Sequence, residues 1–189
     1  MKWFVSVGTV LLAASALVAQ GTTNNGDTKA AGLIRTARSG PWSEAATWEG
    51  GKVPGASARV QIRAGHRIVY DVHIDKTIRS IHIAGTLTFA TDKDTRLDVG
   101  LIKIQAGDDA SEDGFDCDGH VPNPDSNKPR PALEVGTPLT PVDAKHTALI
   151  RLVYFAGMDK QSCPAIVCCA GRMQSSASIY LPRRCRKSA

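Results

Sequence analysis

The stretch from Ile78 to Gln105 reads IRSIHIAGTLTFATDKDTRLDVGLIKIQ, and its pattern decides the fold class. In Ile81-His82-Ile83 a polar residue stands between two apolar ones, and Leu97-Asp98-Val99 and Ile102-Lys103-Ile104 repeat the arrangement. Side chains alternate across an extended strand, so each triplet places two aliphatic residues on one face and a polar residue on the other. The stretch is rich in Ile, Leu, Val and Thr and is broken at Gly85, as short strands separated by bends require. The runs Ile81–Phe89 and Leu97–Gln105 begin 16 residues apart. That spacing fits a β-solenoid whose coils each add one short strand to a stacked parallel sheet. A β-sandwich of hairpins would also give short strands at intervals of about 8–12 residues. Both remain open from pattern alone.

Similar runs continue in both directions: Ala58–Ile62, His66–Val72, Leu133–Val135, Ala148–Phe155 and Ala165–Cys169. Gly, Pro and Asp punctuate them, and helical spacing is nearly absent beyond the first twenty residues, so the body is all-β. The chain has 189 residues, enough for one domain with an ordinary core. Its formal net charge of +5 is concentrated at one end. Arg172, Arg183, Arg184, Arg186 and Lys187 supply five cations, with no acid beyond Asp159. The rest is close to neutral and lacks the basic face that phosphate backbones demand, which argues against nucleic acid as a partner.

The first twenty residues begin Met-Lys, run apolar from Trp3 to Val18, and carry Ala14, Ala16 and Ala19 near the end. This tripartite order is that of a signal peptide over 1–20, forming a short signal helix. The apolar core is shorter than the about 20 residues that span a bilayer. The rival reading is an uncleaved anchor, the one case in which a membrane is a partner. Residues 21–38 are small and polar at first and read as a flexible spacer. The chain is therefore expected outside the cytoplasm, secreted or on a cell surface.

A larger pattern starts at Ser39. Trp42 and Trp48 are followed by Gly51, Pro54 and Gly55, giving W-x5-W-x2-G-x-x-P-G. Tyr70-Asp71 closes a strand, Ile83 to Phe89 reads I-x-G-x-L-x-F, and Val135 to Pro138 reads V-G-T-P. Together these resemble the eight-glycine (G8) domain of cell-surface and cell-migration-inducing hyaluronidases and fibrocystin, over about residues 39–157. The resemblance implies a right-handed parallel β-helix-like stack. It also implies an extracellular, carbohydrate-linked setting, with polysaccharide or glycosaminoglycan-like glycans as partners. A binding module, or the non-catalytic part of a glycan-degrading protein, is the first reading. A hyaluronidase-like glycoside hydrolase and a structural adhesion domain are the alternatives.

The sequence departs from this pattern at 108–131, a long acidic insertion. Asp113, Asp116 and Asp118 could present carboxylate oxygens around a Gly-rich turn, which is the chemistry calcium prefers, although no EF-hand template fits. The alternative is a solvated acidic loop. Asp71, Asp116, Asp118 and His120 are the candidates for catalysis, because glycoside hydrolysis needs two carboxyl groups about the scissile bond. Asp71, at a strand end, also fits a turn former that accepts backbone N–H groups. Trp42 and Trp48 are candidates for sugar stacking, but an open end of a β stack also needs covering, and two tryptophans would serve.

Of the five cysteines (Cys117, Cys163, Cys168, Cys169 and Cys185), an odd count leaves at least one unpaired in an oxidising compartment. A local bridge from Cys163 to Cys168 or to Cys169 is the plain expectation. Residues 158–189 read as a Cys-containing coil and then a basic tail from Gln174. That tail is either the end of a truncated frame or an arm for anionic polysaccharide.

Overall fold

The computed structural model describes residues 32–112, 129–169 and 171–176. It shows strands in two sheets and no α-helix among the described residues. The first sheet takes β1 (Leu33–Arg35), β3 (Arg59–Ile62), β5 (Ile78–Ile83), β7 (Thr95–Gln105) and β10 (Ala165–Cys169), hydrogen-bonded in that order. The second takes β2 (Gly40–Pro41), β4 (Arg67–Tyr70), β6 (Thr86–Phe89), β8 (Ala132–Val135) and β11 (Arg172–Ser175). Strand β9 (Ala148–Leu152) pairs with the first half of β7. Up to β8 the chain visits the two sheets in turn, and every pairing between named strands is parallel. Sequential hairpins cannot give that, because a tight turn joins only antiparallel neighbours.

The register corrects the expected repeat. Ile81 stands beside Ile102, not Leu97, and Gln61 stands beside His82, a separation of 21 residues. One rung therefore contributes a strand to each sheet. The run Ile78–Phe89 is two strands, split at the corner Ala84-Gly85. A third side forms where Val72 to Ile74 lies against the first half of β7: Arg96 N–H donates to Val72 O (3.1 Å) and Ile74 N–H to Arg96 O (3.3 Å). On its other edge that half meets β9, and Asp98, fully buried, is held there by Arg96 and Arg151. Burial alone would push the Asp98 carboxyl up, but the two guanidinium groups outweigh it and hold it below the usual carboxylate range.

Stacking identical positions builds the core. Ile34, Val60, Ile81, Ile102 and Ile166 form one column, and Ile68, Leu87, Leu133 and Met173 another. Each fully buried aliphatic side chain contributes about 1.5–3 kcal/mol. Beside the second column, two residues further along the strands, runs an aromatic one: Trp48 on Trp42 (centroids 4.7 Å), Trp42 on Tyr70 (5.0 Å) and Tyr70 on Phe89 (5.0 Å). Tyr70 keeps its hydroxyl satisfied by donating to Arg96 O at 2.8 Å. Gly85 is required where the first sheet passes into the second. A Cβ there would stand 2.3 Å from Arg63 O and 2.4 Å from His66 O, both backbone atoms of the rung below.

Two expectations about the flanks are overturned. Residues Leu33–Arg35, placed in the spacer 21–38, form β1 because Ile34 continues the interior column over Val60. Residues Arg172–Ser175, which straddle the expected coil and the tail read from Gln174, pair with Ala132–Val135 as β11, although Met173 is their one apolar side chain. The segment 1–20 lies outside the described residues. Among the described residues no helix is long and apolar enough to cross a membrane.

Candidate functional site

The inserted segment sits at one particular place, the corner joining the first sheet to the second. Other rungs turn this corner tightly, through Thr36–Ser39, Arg63–His66 and Ala84-Gly85. In the rung of β7 and β8 the same corner is stretched to residues 106–131. Both described ends of that stretch are fastened to the sheets, and they frame the candidate site.

The first end, Asp108 to Glu112, lies as a strap across the outward face of the first sheet. Beneath it is a ladder of polar residues made by register: Arg35 beside Gln61, Gln61 beside His82, and His82 beside Lys103. Arg35 Nε donates to Gln61 Oε1 (2.8 Å), and Gln61 Nε2 donates onward to Asp108 O (2.9 Å). Gln61, His82 and Lys103 are all buried under this cover. Burial pushes the His82 imidazole below its ordinary value, and the Lys103 ammonium adds to that. The Gln105 carbonyl, 3.0 Å from Nε2, and Asp109 and Asp108 oppose it. His82 is therefore neutral at pH 7, as a buried ring with incomplete charge partners should be. Glu112 closes the strap. It accepts from Arg79 Nε (2.8 Å) and from the Ser80 hydroxyl, with Arg79 Nη2 paired at 2.8 Å and Arg59 Nε 3.4 Å away. Burial would raise its carboxyl, yet the Arg79 and Ser80 hydrogen bonds and the charges of Arg79 and Arg59 hold it below the ordinary carboxylate value.

The second end, Pro129 and Arg130, closes a small cleft of about 70 Å³ with Gly65, His66, Arg67, Gly85 and Thr86. Its polar lining residues are His66, Arg67, Thr86 and Arg130. The Thr36 hydroxyl accepts from Arg63 N–H (3.0 Å) and lies 2.8 Å from His66 Nδ1. Donation of the hydroxyl proton to Nδ1 leaves the neutral imidazole with its N–H on Nε2. Arg67 is held by Glu134 at 2.8 Å, and Arg172 takes the other Glu134 oxygen. Glu134 is buried and does not line the cleft, and no carboxyl group is among the described lining residues. Two guanidinium groups, an imidazole and the Thr86 hydroxyl suit the oxygen atoms of an anionic or hydroxyl-rich ligand.

Of the residues singled out from the sequence, the described ones have structural partners. Asp113, Asp116, Asp118 and His120 lie outside the described residues, and with them the proposed calcium site and most of the catalytic set. Asp71 accepts from Ser43 N–H (3.0 Å) and Ser43 Oγ (2.6 Å), tying β4 to the turn after β2 as a turn former does. Trp42 and Trp48 are 0% and 2% exposed, so neither ring has a face for a sugar. They serve the stack instead, and Trp48 Nε1 donates to Trp42 O at 2.8 Å. The expected Cys163–Cys168 bridge is absent: both are free, and Cys169 is the disulfide-bonded residue. Cys163 packs with Leu101, Ala165 and Val167 on the outer side of β10, whereas Cys168 follows Ile104 on the interior side, so the two point apart.

The residues that sequence reasoning missed are Gln61, Lys103, Glu112 and Glu134. Their signal was the 21-residue spacing of Gln61, His82 and Lys103, which is visible only once the repeat is set correctly.

The G8 domain family matches residues 47–167, more than half of the chain. The chain belongs to the G8 domain family. No curated protein and no solved structure matches it. The matched span of this G8 domain runs from Thr47, beside the tryptophan cover, to Val167 in β10, about ten residues later at each end than the motif reading of 39–157. It contains the strap, the Gln61, His82 and Lys103 steps of the polar ladder, and the corner cleft.

Proposed function

We propose that this G8 domain is an exported module that associates with extracellular polysaccharide, built as a right-handed parallel β-solenoid. Two-sheet alternation with parallel pairing supports the solenoid, and the strong right-handed preference of parallel crossovers supports its hand. The signal-like residues 1–20 support export. The observation that carries the binding role is the corner cleft, with His66, Arg67, Thr86 and Arg130 among its described lining residues. Such a cleft can grip sugar hydroxyls and acidic substituents. The role read from it is recognition.

The test is retention of the full chain on immobilised neutral and acidic polysaccharides, with Arg130→Gln and Arg67→Gln compared against wild type. Loss of one charge-assisted hydrogen bond, about 1.5–3 kcal/mol, predicts at least about tenfold weaker retention. A chain retained on none of the polysaccharides, or retained equally after both substitutions, overturns the reading. Release of new reducing ends by the purified chain would return the role to hydrolysis.

A further inference from the structure

The strap is held as a ligand would be. No residue of β1, β3, β5 or the second half of β7 is acidic. Against this, Arg35, Arg59, Arg79 and Lys103 supply four cations on four successive strands of the sheet. Arg35 and Lys103 stand in the register row of Gln61 and His82, whereas Arg59 stands two residues away in the row of Ser80 with Arg79 beside it, so the four charges spread over two neighbouring rows. The acids that meet them come from the strap. Glu112, with 14% of its side chain exposed, is clasped by two guanidinium groups and a hydroxyl. Asp109 Oδ2 lies 3.5 Å from Lys103 Nζ. The strap carbonyls are used as well, Asp108 O by Gln61 Nε2 and Ala110 O by Arg59 NH2 at 3.0 Å. A carboxylate inside a fork of arginines, flanked by amide and ammonium donors, is how a folded protein takes hold of an acidic chain from outside.

We propose that the outward face of the first sheet is a second binding site, for an acidic polysaccharide, and that the Asp108–Glu112 strap occupies it in cis through the Glu112 carboxylate. Strap and ligand exclude one another, because both require Arg59, Arg79 and Ser80. The corner cleft is separate: its donors are His66, Arg67 and Arg130, and it stays open while the strap is closed. The site rests on the polysaccharide reading for the identity of its ligand only; the latch stands on the contacts of Glu112.

Glu112→Gln in the full chain keeps the shape of the side chain and removes its charge. Two quantities are read: amide hydrogen exchange across Asp108–Glu112, and affinity for heparin as the acidic probe. The expected result is exchange at least tenfold faster in the strap, with heparin binding at least tenfold tighter than in wild type. Adding Arg59→Gln and Arg79→Gln should abolish the gain, and Arg130→Gln should leave it intact. Faster exchange without a gain in affinity overturns the binding site, and unchanged exchange overturns the latch. Should Glu112→Gln fail to fold, wild type with saturating heparin decides: faster strap exchange supports displacement, and slower or equal exchange overturns it. A wild type retained on no polysaccharide beside a Glu112→Gln variant that binds heparin would remove the corner cleft reading and leave this one standing.

Discussion

Trp42 and Cys168 both occupy positions that follow an interior column, yet Trp42 is fully buried and Cys168 is exposed. At the first end of the stack, two large rings close over Tyr70 and Phe89, and the indole of Trp48 is pinned by a hydrogen bond to Trp42 O. At the last described rung, Ile166 is half-buried and Met173 is 49% exposed, although Ile102 and Leu133 directly beneath them are buried. The difference follows from the architecture. In a stack of parallel rungs an inward side chain is shielded above and below only by neighbouring rungs. An apolar residue in register is therefore necessary for burial but not sufficient. Two tryptophans supply the missing layer at one end, each carrying some 150–250 Å² of surface.

The comparison breaks first at the tryptophans. Trp48→Ala should cost about 3–5 kcal/mol, because it removes a buried ring and opens the aromatic column. For a body of this size that lowers Tm by about 6–20 °C in thermal unfolding followed by circular dichroism. A loss below about 1 kcal/mol would mean that the rings do not cover the end in solution. Finer substitutions separate the two rings. Trp48→Phe deletes the donor to Trp42 O and strands that carbonyl, a cost of about 1–3 kcal/mol beyond lost contact area. Trp42 Nε1 has no partner among the described residues, so Trp42→Phe should cost less than Trp48→Phe. The reverse order would place the polar anchor on the wrong indole.

The same contrast explains how much could be read from sequence. The all-β class and the family were legible because alternation and glycine corners are local: Ile81-His82-Ile83 and Gly85 each declare themselves within a few residues. The repeat was misread because Ile81 and Leu97 look equivalent, whereas the true partner, Ile102, is fixed by a corner and a third side that carry no periodic signal. Strands β1 and β11 went unseen for a related reason. Three or four residues such as LIR or RMQS have no pattern of their own and become strands only because a neighbour offers its edge. Trp42 and Trp48 could be read as sugar platforms or as a cover, and only their burial separates the two. At the site, His66 and Arg67 open an ordinary strand run, and Glu112 looks like one acid among many. What distinguishes them is contact with residues 30 or more positions away.

Between the two ends, His82 tests whether the strapped middle is as dry as the aromatic end. Its folded pKa lies below the ordinary 6.5, with burial the foremost cause. The stability this contributes is complete above 6.5, where the ring is neutral in both states. It is lost as pH falls below that value toward the folded pKa, because the unfolded chain then binds the proton first. Wild-type Tm should therefore drop more between pH 7 and pH 5.5 than that of His82→Gln, which keeps a hydrogen-bonding side chain but cannot titrate. Parallel curves would show that water reaches the ladder beneath the strap.

The smallest effect is expected at the far end. Met173 follows Leu133 in register, but half of it faces solvent, so truncation forfeits little buried area and leaves no enclosed cavity. Met173→Ala should cost less than about 1 kcal/mol, against about 2–5 kcal/mol for a methionine sealed in a core. Amides of β11 should likewise exchange faster than those of β5, which has a hydrogen-bonded neighbour on both edges. If Met173→Ala costs as much as Trp48→Ala, something covers the last rung in solution as effectively as the indoles cover the first, and the asymmetry between the two ends disappears.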